Sequence, residues 1–171
     1  DTYYSDFKKI LITRSNDMEV DAKYHFFTRL LDYCIIKRRI NPDSPKYGKE
    51  LISVYKLIVE NGFYRQPKSQ SFPMDLFRNI IVAGLREKET EWVEEFVKRY
   101  KTKLNKEQRR DAVYYAKAKL ALEKKNFKES LLNIGKIQND YYQYSVEKKA
   151  ITLIIYYELR DFEEALKLID S

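Results

Sequence analysis

The side chains best suited to chemistry in this sequence are few and stand apart. His25 is the single histidine and Cys34 the single cysteine, and their spacing of nine does not bring imidazole and thiol onto one helical face. Nucleophilic triads and most zinc sites need a histidine with partners converging on it, so neither residue is read as catalytic or metal-ligating. His25 is expected on a helix, and Cys34, inside "LLDYCIIKRR", as a small buried hydrophobe. Gly48, Gly62, Gly84 and Gly135 are isolated and none precedes Lys-Ser or Lys-Thr, so no glycine-rich phosphate loop is present. The pairs Glu94–Glu95 and Glu163–Glu164 fall in first turns of predicted helices, where they complement the dipole. No catalytic residue, cofactor or metal is expected.

Charge carries more information. The net charge is +7, yet residues 98–128 hold twelve Lys and Arg against Glu107, Asp111 and Glu123, a local balance of +9. Arg110, Lys117 and Lys124 recur every seven residues and form a stripe on one helix, with Tyr114 one turn from Arg110 and Lys117. These four are the candidate partner-binding residues. A concave position would attract an acidic peptide through charge-assisted contacts. A convex one would leave an ordinary solvated face, and Ala112, Ala116 and Leu120 permit either rotation.

These residues need elements to hold them, and the chain repeats itself in supplying them. "EWVEEFVKR" at Glu91, "NFKESLLNI" at Asn126 and "DFEEALKLI" at Asp161 follow one another at intervals of 35, with Trp92, Phe127 and Phe162 in register. Asn126 with Glu129, and Asp161 with Glu164, have capping-box spacing, each glutamate reaching back to the cap amide. In the earliest copy Thr90 is the expected cap. Upstream of each anchor lies a second amphipathic pattern, with Phe77, Ile80 and Ile81 in the first, Ala112, Tyr115 and Ala116 in the next, and Val146, Ala150, Leu153 and Ile154 in the last. The unit is helix, tight turn, helix, and a fixed period of this size marks a solenoid in which each hairpin is buried by the next. Phe127 and Phe162 are expected to be buried between helices.

The stretches "AKAKLALEKKNFKESLLNI" and "AITLIIYYELRDFEEALKLI" resemble the tetratricopeptide repeat family, best over 109–170 and less closely over 74–103. Asn126 or Asp161 matches its turn-closing polar residue, Phe127 or Phe162 its aromatic, and Ala165, with Ser130 in its place one repeat earlier, its small interhelical residue. The interval is 35 rather than about 34, and Glu95 stands at the small position of the earliest copy. The resemblance implies an all-α, antiparallel helix-hairpin solenoid of eight or nine helices and a non-catalytic protein–protein interaction scaffold. The first helices of the two best copies contain no asparagine, so the family's clamp for a C-terminal carboxylate is not supported.

Repeats are expected at about 74–103, 109–138 and 144–170, with residues 1–65 forming diverged hairpins of the same stack. Tyr3, Phe7, Ile10 and Leu11 pattern one helix, a second runs from about Val20 to Arg38, "INPDSP" breaks it, and a third ends at Gly62. "FYRQPKSQSFP", bracketed by Pro67 and Pro73, is the one long loop. A chain of 171 residues with 44% hydrophobic content can form one sizeable core, and no apolar run approaches the ~18 residues of a membrane span. The partner is expected to be a protein or acidic peptide, and the compartment the cytoplasm. The alternative is an RNA-binding helical repeat of pentatricopeptide type using residues 98–128, although no repeated base-reading pattern accompanies it. "DFEEALKLIDS" lacks the polar cap that ends a solenoid. The chain is therefore read as a segment of a longer protein, with more repeats beyond Ser171 or self-association through an uncapped C-terminal end.

Overall fold

The computed structural model describes residues 2–66, 69, 71–138 and 142–170, and the backbone alone of residues 142–144. Pro67, expected to bracket the loop, and Ser171, expected to be an internal boundary, lie outside the described residues. Among those described there are nine α-helices: α1 (Thr2–Arg14), α2 (Val20–Ile40), α3 (Pro45–Glu60), α4 (Met74–Arg86), α5 (Thr90–Tyr100), α6 (Lys106–Glu123), α7 (Phe127–Ile134), α8 (Tyr142–Glu158) and α9 (Phe162–Asp170). Among the described residues the sole strand-like pairing is an isolated bridge between Gln66 and Ser69. The chain divides into two compact units, Asp1–Lys88 and Glu89–Ser171.

In the first unit α2 and α3 pair as a hairpin, with α1 against α2 and α4 against α3. Phe27, Leu30, Cys34, Val54, Tyr55, Phe77, Ile80 and Ile81 are buried in it. Cys34 is fully buried as expected, and burial pushes its thiol pKa up. Gly62 ends the third helix at φ +69°, where the amide of Phe63 donates to the Ile58 carbonyl at 3.0 Å. The described residues on either side of the connection to α4 are packed into the unit. Phe63, Tyr64 and Phe72 are all buried, Phe63 stacking on Phe27 at 4.2 Å and Tyr64 packing tilted against Phe72 at 4.4 Å between ring centroids.

The first helix is tied to α3 by a polar clasp. Lys8 Nζ donates to Glu50 Oε1 at 2.7 Å and to Ser53 Oγ at 3.2 Å, and Tyr4 Oη donates to the same Glu50 oxygen at 2.8 Å. Burial pushes the Glu50 carboxyl up, but the hydrogen bonds from Lys8 and Tyr4 and the charges of Lys8 and Lys46 outweigh it and lower the pKa below its ordinary value.

The second unit holds α5 and two hairpins, α6–α7 and α8–α9, with α6 also touching α5 and α8. Small residues let α7 approach α6 closely. Ala112, Ala116 and Ala118 are fully buried, as is Ser130, whose hydroxyl donates to the Ala118 carbonyl at 2.9 Å. Ala165 is buried at the matching place on α9. The turns of the two hairpins share one geometry. Lys125 and Arg160 lie at φ +57° and +59°. Their amides donate to Leu122 and Tyr157, while those of Asn126 and Asp161 donate to Ala121 and Tyr156, both at 2.8 Å. This is the Schellman arrangement, and it alters the expected capping box. The Asn126 amide is already engaged by Ala121, so Glu129 binds the Asn126 side-chain amide instead, at 2.8 Å. Glu164 turns to Lys167 at 2.7 Å, although its own amide still reaches Asp161 Oδ1 at 3.4 Å.

Two further expectations are corrected. Thr90 is the first residue of α5, and Glu89 occupies the cap position without a side-chain cap bond; the left-handed Lys88 that sets this turn lies two residues earlier than the 35-residue register requires. Phe162 is 54% exposed, and Phe127 is only half-buried. The inward side of the last hairpin is filled by Ile151, Ile155 and Ala165. Phe162 sits on the other side, edge-on to Tyr157 at 6.2 Å.

Two measurements follow from these local structures. A left-handed conformation costs a residue with a Cβ about 1 kcal/mol or more, so Lys125→Gly and Arg160→Gly should each raise the unfolding free energy from urea melts by up to about 1 kcal/mol, less the glycine's extra unfolded entropy. Because the folded pKa of Glu50 is lowered, its contribution is present above the unfolded value near 4.3 and lost as pH falls through the folded value. Glu50→Gln should therefore be less stable than the parent at pH 7, with the difference closing below about pH 4.

Candidate functional site

The rotation of α6, left open by its sequence, is decided by packing. Asp111, Ala112, Tyr115, Ala116 and Ala118 turn inward, so Arg110 and Lys117 face solvent. The inward setting is fixed by a polar contact as well as by apolar ones: the buried Tyr115 donates its hydroxyl to Glu147 Oε2 on α8 at 2.8 Å. A phenol in a packed interior needs such a partner.

The four candidate residues do not act as one row. Arg110 places Nε 3.3 Å from Asp111 Oδ1 and donates through Nη2 to Gln138, beyond the end of α7. Lys124 is the C-cap of α6 and pairs with Glu94 on α5. Between these two ends lies Tyr114, half-buried, with Lys117 Nζ 6.0 Å and Lys136 Nζ 5.5 Å from its ring centroid. Two ammonium groups over one ring form a compact positive platform. Lys136 was absent from the sequence expectation, because it reaches Tyr114 from the turn after α7 and shares no helical spacing with α6.

Other members of the basic segment serve the fold. Arg109 donates from Nη2 to the carbonyls of Thr102 at 2.8 Å and Leu104 at 2.9 Å, bracing the entry into α6. Lys103 Nζ lies 4.8 Å from the Tyr100 ring centroid. Arg109 thus braces the fold, while Lys98, Lys106, Lys125 and Lys128 of the same segment are exposed. His25 is exposed on α2, edge-on to Phe26 at 5.9 Å. Among the described residues no group of three or more His, Cys, Asp or Glu side chains comes together, and no helix is long and apolar enough to cross a membrane.

The Lys124–Glu94 pair is 54% and 43% exposed, so solvent screening limits its worth to about 0.5 kcal/mol. Lys124→Glu should lose about that much or slightly more through repulsion with Glu94, and adding Glu94→Lys should restore it in a double-mutant cycle of urea melts. Lys117→Glu should leave stability unchanged. No family model matches the chain, and no curated protein or solved structure matches it.

Proposed function

We propose that the chain is a non-catalytic, cytoplasmic interaction scaffold, a helical-repeat solenoid of tetratricopeptide type that binds an acidic peptide or protein segment on the solvent side of α6. The observation that carries this reading is the Tyr114 ring with Lys117 and Lys136 over it. A carboxylate-bearing segment can set apolar atoms on the ring while its charges meet the two ammonium groups. Arg110, 56% exposed despite its bond to Asp111, extends the platform by one turn. Support for the repeat reading comes from the matching turns at Lys125 and Arg160 and the small residues Ser130 and Ala165 packed inside each hairpin.

The same reading gives the outer face of the last hairpin to a further hairpin or a second copy. Ile154, Tyr157, Phe162, Leu166 and Ile169 are all about half exposed or more there, a row at three- and four-residue spacing on α8 and α9.

A fluorescein-labelled oligoglutamate peptide tests the platform by anisotropy. Lys117→Glu combined with Lys136→Glu should weaken binding at least tenfold with the helical circular dichroism unchanged, whereas Lys128→Glu should have a small effect. Unchanged affinity in the double reversal would remove the site. A single-stranded RNA oligonucleotide binding more tightly than the peptide, with affinity falling steeply as salt rises, would favour the nucleic-acid reading instead.

A further inference from the structure

A groove in the first unit, lined by α1, α2 and α3, plays no part in the reading above. It encloses about 420 Å³, inside the range of roughly 300–1,000 Å³ typical of small-molecule sites. Tyr4 and Tyr33 stack at 4.2 Å between ring centroids, and Tyr47 and Ile12 complete the carbon walls. Three phenol rings from three helices thus line one groove, the Tyr4 hydroxyl being engaged by Glu50 and next to Cys34.

The ionisable groups divide by what they already bind. Glu50, the one carboxylate in the lining, accepts from Lys8 at 2.7 Å and Tyr4 at 2.8 Å. That pair lines the groove and offsets its own charge. Lys9 and Lys46 also line the groove and are exposed, so the lining holds three lysines against one glutamate. Lys46 Nζ lies 5.6 Å from the Tyr47 ring centroid, which puts a positive charge beside an aromatic wall. A cationic ligand would meet this excess of like charge. A neutral sugar would need acceptors as well as donors, and the groove's strongest acceptor is already engaged.

We propose that this groove binds a small planar aromatic anion, with its ring against the tyrosines and its negative group between Lys9 and Lys46. The ring supplies apolar burial, and the ammonium groups supply charge-assisted hydrogen bonds that neither half of the ligand obtains alone.

Phenyl phosphate is the probe, titrated into the whole chain and followed by ¹H–¹⁵N correlation spectra, with phenol and inorganic phosphate as its two halves. The expected result is saturable binding whose shifts centre on Tyr4, Lys9, Tyr33 and Tyr47, at least tenfold tighter than for either half. Lys9→Glu with Lys46→Glu should weaken phenyl phosphate at least tenfold while leaving the helical spectrum intact. Lys117→Glu with Lys136→Glu should leave it unchanged, which separates this groove from the α6 platform. Unsaturable shifts, equal binding of phenol or of inorganic phosphate, or an affinity indifferent to the Lys9 and Lys46 reversals would each overturn the assignment.

Discussion

A helical hairpin creates more apolar surface than its own two helices can hide, and the second unit is organised by that excess. In α6–α7 the first share is hidden by contact between small residues, with Ala118 and Ser130 joined through a hydrogen bond at the closest approach. The remainder needs neighbours, and α6 finds them in α5 and α8. In α8–α9 Ile151, Ile155 and Ala165 are hidden in the same way, while Tyr157, Phe162 and Leu166 stay open to solvent. Apart from Leu132, the large apolar side chains of α6–α7 are covered, and those on the outer face of α8–α9 are not.

That constraint also decides where charge can sit. An inward-facing α6 position must be small, apolar or hydrogen-bonded, as Tyr115 is to Glu147, so basic residues are forced to the opposite side or the ends. At the ends, carbonyls left over from helix termini draw them in, as Thr102 and Leu104 draw Arg109. In the middle of the helix Lys117 stands beside the Tyr114 ring, which Lys136 reaches from the turn after α7. Most basic side chains of residues 98–128 nevertheless stay exposed, Lys98, Lys106, Lys125 and Lys128 among them, so the excess of charge remains largely at the surface.

Local chemistry was legible in the sequence and long-range chemistry was not. The cap residues Asn126 and Asp161, the helix-ending Gly62 and the inward small residues follow from side chains acting within a few positions of themselves, and their spacing announces them. The Thr90 cap failed because the helix begins one residue earlier, after a left-handed Lys88 whose conformation nothing in its type requires. Phe162 failed for a different reason: an aromatic at that helix position is buried only if another element lies over it, and its own hairpin cannot supply one. Lys136 beside Tyr114, and Tyr4 beside Glu50, join residues 22 and 46 positions apart. No periodic pattern links such pairs. The all-α class was legible because it rests on the first kind of signal, and the candidate site was legible only in part because it rests on both.

The turn shared by Lys125 and Arg160 is built wholly from its own hairpin: the left-handed residue, the carbonyls it reaches and the cap that follows all lie within ten positions. No neighbouring element sets its geometry. A change of length outside such a turn therefore leaves its hydrogen bonds as they are. Thirty-seven residues separate Lys88 from Lys125 and 35 separate Lys125 from Arg160, so the spacing between left-handed positions varies while each turn stays within a few residues of itself.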